Sequence, residues 1–111
     1  MFHGQGTLVL ESGFSYYGQF KNGEFSKTGK ITYRDGRSYE GQFKKGQKHG
    51  YGIFEWPDGR TYSGNYHEDE KHGYGEYECD EEIYKGFWKH GKKHGEGAIF
   101  RKGKLLSLIH I

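Results

Sequence analysis

Four tyrosines, Tyr16, Tyr39, Tyr62 and Tyr84, stand 23, 23 and 22 residues apart, and each opens the same phrase. The phrase is Tyr-x-Gly-x-aromatic: Tyr16-Gly18-Phe20, Tyr39-Gly41-Phe43, Tyr62-Gly64-Tyr66 and Tyr84-Gly86-Trp88. The last three copies continue into Lys48-His49-Gly50-Tyr51-Gly52, Lys71-His72-Gly73-Tyr74-Gly75 and Lys93-His94-Gly95-Glu96-Gly97. A fixed period of this length marks a repeat array, in which each unit buries its apolar face against its neighbours. Gly-rich, His-bearing segments that would resemble active-site pieces in isolation thereby become structural phrases.

Numbered from the tyrosine as position 1, glycine recurs at positions 3, 8, 12 and 14, with an aromatic at 5 and apolar residues near 16 and 18. A spacing of two is strand periodicity. Each repeat therefore reads as two short strands around a polar turn, Lys44-Lys45-Gly46-Gln47-Lys48 in the second. Arg34-Asp35-Gly36-Arg37 and Trp56-Pro57-Asp58-Gly59-Arg60 link one repeat to the next. Asp-Gly supplies the left-handed position of a tight turn, and Pro57 presets a type I geometry. Helices are excluded, since each glycine costs a helix about 1 kcal/mol.

The expected fold class is all-β: an elongated single-layer antiparallel meander of β-hairpins, built from about four and a half repeats. Roughly nine strands would make a plate about 43 Å long. Tyrosine, phenylalanine and glycine share one face, so rings are expected to lie over glycines of adjacent strands and hold the sheet together without a second layer.

Composition agrees. Only 32% of the 111 residues are apolar and mean hydropathy is −1.06, yet aromatics reach 18% and the 20 glycines occupy fixed positions. Disordered chains are poor in aromatics, so a thin aromatic core is expected. A net charge of +2 is far from that of a dedicated nucleic-acid binder. The single cysteine, Cys79, rules out an internal disulfide framework and fits a reducing compartment. No signal-peptide core and no apolar run of membrane-spanning length is visible. The expectation is an intracellular, cytoplasmic protein.

Residues 1–15 fit the second half of a truncated repeat, and four repeats follow at 16–38, 39–61, 62–83 and 84–104. The tail 105–111 fits no repeat position. Residues 106–111 match one reading frame of a widely used transposon-end sequencing adapter, so the chain reads as a fragment of a longer protein.

Tyr-x-Gly-x-aromatic, then Gly, His-Gly-x-Gly and Asp-Gly at this period resembles the MORN repeat (membrane occupation and recognition nexus). The first repeat departs from the pattern with Ser26-Lys27 for His-Gly. The third has Asp69 for Gly and Asp80-Glu81-Glu82 for Asp-Gly, and the fourth ends in Lys102-Gly103. The resemblance implies a twisted sheet of hairpins with an extended groove. It also implies roles as a scaffold in membrane-associated, ciliary or cytoskeletal assemblies, and in some relatives a place beside a lipid-kinase or methyltransferase domain.

Three candidate surfaces follow from the residues. His49, Tyr51, His72, Tyr74 and His94 occupy positions 11 and 13, opposite the Tyr/Gly face, where they would line a groove for an extended peptide or helix of a protein partner. Lys44, Lys45, Lys48, Lys71, Lys89, Lys92 and Lys93 are expected along one turn edge, as a solvated rim or a contact for acidic membrane lipids. The structural ladder is the four Tyr-x-Gly-x-aromatic triplets. Equivalent histidines should lie two strands, roughly 9.6 Å, apart, so no metal site is expected. The histidines are read as local hydrogen-bonding residues or as a row contacting a partner. Gly91 to Gly97 has neither the residue order nor the following helix of a phosphate-binding loop. Cys79, at the position of Trp56, is expected as a small core residue. No catalytic constellation, cofactor or nucleic-acid site is expected. The alternatives are a peripheral phospholipid-binding module and the regulatory repeat region of a larger enzyme, such as a phosphatidylinositol phosphate kinase.

Overall fold

The computed structural model describes residues 3–110. They form one open ten-stranded antiparallel sheet in strict chain order. The strands are β1 (Gly4–Val9), β2 (Ser15–Lys21), β3 (Glu24–Thr32), β4 (Ser38–Lys44), β5 (Gln47–Glu55), β6 (Thr61–His67), β7 (Glu70–Cys79), β8 (Glu82–Lys89), β9 (Lys92–Arg101) and β10 (Lys104–His110). The described residues measure 49 × 25 × 19 Å along their principal axes. The tenth strand is the tail segment, which pairs with β9 through a register shift between Leu105 and Ser107.

Every repeat closes on a two-residue turn with both residues at positive φ: Asn22-Gly23, Lys45-Gly46, Glu68-Asp69 and His90-Gly91. These are mirror-image turns, whose twist matches that of the strands they join. Glu68-Asp69 makes the turn without glycine, and Asp69 also reaches back to the preceding repeat. Its carboxylate accepts the Lys48 backbone N–H at 2.8 Å and lies 3.7 Å from Lys48 Nζ. The turns also stitch repeats together through the main chain. The backbone N–H groups of Gly46, Asp69 and Gly91 donate to the carbonyls of Phe25, Lys48 and Lys71 in the preceding repeat. Between repeats, Gly36 and Gly59 take the left-handed position. The third link is one residue shorter because Asp80-Glu81 makes a two-residue hairpin between paired Cys79 and Glu82.

Register fixes the core. Gly6, Gly18, Gly29, Gly41, Gly52, Gly64, Gly75, Gly86 and Gly97 are paired in succession from β1 to β9, an unbroken glycine rung. The position-1 tyrosines lie on this rung. A Cβ on Gly29, Gly52, Gly75 or Gly97 would strike the ring of Tyr16, Tyr39, Tyr62 or Tyr84 respectively. Each hydroxyl donates to a main-chain carbonyl three residues on: Gln19 at 2.7 Å, Gln42 and Asn65 at 2.9 Å, and Phe87 at 3.2 Å. Their buried polar atoms are thus satisfied.

Each tyrosine is also flanked edge-on by the position-5 ring of its own repeat, and all but the last by that of the next. The chain Phe20–Tyr16–Phe43–Tyr39–Tyr66–Tyr62–Trp88–Tyr84 runs with centroid spacings of 5.1 to 5.4 Å. Edge-to-face contacts of this kind add about 0.5–1.5 kcal/mol each beyond burial. Tyr16, Tyr39 and Tyr62 are fully buried in a sheet one layer thick, because rings cover rings along the array.

Candidate functional site

The face behind the glycine rung is open to solvent. Gly50 pairs with core-facing Tyr66, so its neighbours His49 and Tyr51 point the other way, and His72 and Tyr74 repeat the arrangement around Gly73, which pairs with Trp88. Gly50 and Gly73 have positive φ at the register shifts that interrupt the β4–β5 and β6–β7 ladders. Such bulges leave backbone groups off the ladder, and position-4 amides take them up. The Tyr51 N–H donates to Gln42 Oε1 at 2.7 Å, and Asn65 Nδ2 donates to the Tyr74 carbonyl at 3.2 Å. Tyr51 and Tyr74 are therefore held on a pinned backbone.

The exposed aromatics of this face extend past the expected set. Tyr17, Tyr51, Tyr74 and Phe87 are 61, 52, 43 and 50% exposed, and Phe87 meets Tyr74 edge-on at 5.9 Å. Tyr17 and Phe87 sit at positions 2 and 4, which alternation with the core positions 1, 3 and 5 could have placed here. The Tyr74 hydroxyl donates to Glu76 at 3.3 Å. Partial burial, and then the Glu76 charge, raise its pKa, so it stays a neutral donor.

The histidines assemble differently from the expected ladder. His67 and His90, from other repeat positions, intercalate to give His49–His67–His72–His90, with ring centroids 5.0, 5.5 and 5.8 Å apart. The row ends on His90 at the β8–β9 turn, while His94 is an exposed residue of β9. The 9.6 Å estimate between equivalent strands holds only for like positions. It misses residues that pairing register brings from the strand between.

The lysine edge requires a correction. Lys44, Lys45, Lys89 and Lys92 are exposed at the turns, but Lys48, Lys71 and Lys93 lie on the core face over tyrosine rings. Position 10 shares strand parity with Gly52 and Phe54, so it stacks on the position-1 ring. In the first repeat the residue there is Phe25, parallel to Tyr16 at 3.8 Å. Lys71 is enclosed most: its Nζ is 4.9 to 5.4 Å from the ring centres of Trp88, Tyr62, Trp56 and Tyr77. Burial, and then the charges of Arg60 and Lys93, lower its pKa. Cys79 is likewise not a core residue. It is half-buried, with its thiol 3.7 Å from Asp80, and desolvation followed by the Asp80 charge pushes its pKa up, away from the reactive thiolate.

The site is therefore a rigid sheet face bearing aromatics, amides and imidazoles, carried by a filled aromatic face behind it. Together they define a β-hairpin repeat protein whose display surface is set by its repeat frame. The MORN repeat family matches residues 1–14, 16–36, 39–59, 62–80 and 84–104. This chain belongs to the MORN-repeat family, a non-catalytic repeat module. No curated protein matches it.

Proposed function

We propose that this chain is a non-catalytic scaffold that binds another protein along the sheet face of His49, Tyr51, His72 and Tyr74, extended by Tyr17 and Phe87. The observation supporting this most is the exposure of four aromatics on one face while the aromatics of the opposite face are consumed by the core. Exposed Tyr and Phe on a fixed backbone offer large contact area at low entropic cost. The face is long enough for an extended peptide or a helix, and the setting that fits is a cytoplasmic, membrane-peripheral, ciliary or cytoskeletal assembly. The test is capture of partners from lysate by the chain and by its Tyr51→Ala/Tyr74→Ala form, with folding checked by circular dichroism. Loss of the captured set from the folded double variant is expected; unchanged recovery would overturn the reading.

One observation favours a second reading, contact with acidic phospholipid. Lys21, Lys27, Lys44 and Lys45 surround a concavity of about 630 Å³ beside Ser26 and His49 in the first two repeats. Each surface lysine adds on the order of 1 kcal/mol of attraction to an anionic bilayer. Sedimentation with phosphatidylserine vesicles over a salt series is expected to show pelleting at low salt that Lys44→Glu/Lys45→Glu removes. No pelleting at low salt would exclude it.

A further inference from the structure

The structure assigns a transition-metal site, of the kind that takes Zn²⁺, to the His49–His67 pair on the exposed sheet face. Zn–N bonds are about 2.0–2.1 Å, which puts each ring centre about 3.2 Å from the ion and two centres about 5.2 Å apart at a tetrahedral angle. His49 and His67 stand at 5.0 Å. They also line, with Lys44, Lys45, Gln47 and Glu68, an open concavity of about 280 Å³ through which an ion could reach them.

A carboxylate stands beside the pair: His67 Nε2 lies 3.0 Å from Glu68 Oε1, so Nδ1 is the His67 nitrogen left clear of it. A ligating histidine held through its other nitrogen by a carboxylate is the usual arrangement of metal sites. His72 is 5.5 Å beyond His67 and His90 a further 5.8 Å, wider than the spacing for a shared ion, so the His49–His67 pair fits best. Among the described residues no three His, Cys, Asp or Glu side chains converge on one point. The site is thus a two-imidazole one, its remaining positions open to water or to a side chain of a bound protein. The charges of Lys44 and Lys45 oppose binding and Glu68 offsets only one of them, so an affinity well below that of a four-ligand site is expected. This site stands or falls independently of protein docking.

The test is Zn²⁺ titration of the full chain by calorimetry, alongside His67→Ala, His49→Ala, His94→Ala and Cys79→Ser, with circular dichroism on each. Binding below millimolar Zn²⁺ that weakens at least about 10-fold in His67→Ala and His49→Ala, and is unchanged in His94→Ala and Cys79→Ser, is the expected result. A Glu68→Gln form should bind several-fold more weakly, because it loses the carboxylate behind His67. No binding below millimolar Zn²⁺, full affinity in His67→Ala, or an equal loss in His94→Ala or Cys79→Ser would each overturn the assignment.

Discussion

Lys71 Nζ lies 4.9 Å from the ring centre of Trp88, with Tyr62, Trp56 and Tyr77 closing the other sides. A cation in an aromatic enclosure gains about 0.5–2 kcal/mol from the ring quadrupoles, against the cost of leaving water. Lys71→Ala removes both the charge and the aliphatic stem that covers the rings, and is expected to lower stability by about 1–2 kcal/mol. Lys71→Met keeps the cover without the charge and should lose less. Urea unfolding of the three proteins measures the difference, and equal losses in the two variants would show that the charge over the rings matters and the stem does not.

The glycine rung is expected to be intolerant of side chains where a tyrosine lies on it. Gly52→Ala drives a Cβ into the Tyr39 ring, an overpacking cost of about 2–3 kcal/mol, or roughly 10–20 °C in melting temperature. Gly59→Ala meets no atom within 4 Å and bears only its left-handed φ of 97°; its cost should be about 1 kcal/mol. Thermal melts of the two variants would rank them.

Tyr39→Phe keeps the ring and deletes the hydroxyl that donates to the Gln42 carbonyl at 2.9 Å. A loss of about 1 kcal/mol is expected, with partner capture through Tyr51 and Tyr74 unchanged. A loss near zero in chemical denaturation would mean that water replaces the bond.

Asp69 separates strain from bonding. Asp69→Ala keeps a non-glycine residue at φ 70° and loses the bond to the Lys48 N–H, a cost of about 1–2 kcal/mol. Asp69→Gly loses the same bond but relieves the backbone, so its unfolding midpoint should lie between those of Asp69→Ala and the parent.

Alkali should unfold the array. Burial raises the pKa of Tyr39, Tyr62 and Tyr66 well above that of a free phenol. Where the folded pKa exceeds the unfolded one, stability is full below the unfolded value, about 10, and is lost as pH climbs towards the folded value. Lys71 has the opposite sign, because its lowered pKa makes its burial less costly as pH rises, but three tyrosines outweigh one lysine. Melting temperature is therefore expected to be flat from about pH 7 to 9 and to fall above about pH 10. A rise in that alkaline range would contradict the buried phenols.

Much of this was legible in the sequence. The two-residue alternation of Tyr39, Gly41 and Phe43 selects strands, and Asp-Gly and Lys-Gly pairs mark the turns. Tyrosine and glycine on one face require ring-on-glycine packing, since nothing else could cover a bare strand in so hydrophilic a chain. The position of Lys48, Lys71 and Lys93 was also implicit in the parity of β5, β7 and β9, because the bulges at Gly50 and Gly73 insert two residues each and leave that parity intact.

These are local properties, fixed by backbone sterics and side-chain period, and every repeat restates them. What only the tertiary structure decided is which non-equivalent positions become neighbours. His49, His67, His72 and His90 come from positions 11, 6, 11 and 7 of three repeats. Antiparallel register and the tight turns carry them into one row. The same pairing sets Phe87 against Tyr74 and closes four rings on Lys71. Cross-strand adjacency is a sum over register shifts, and no single repeat contains it.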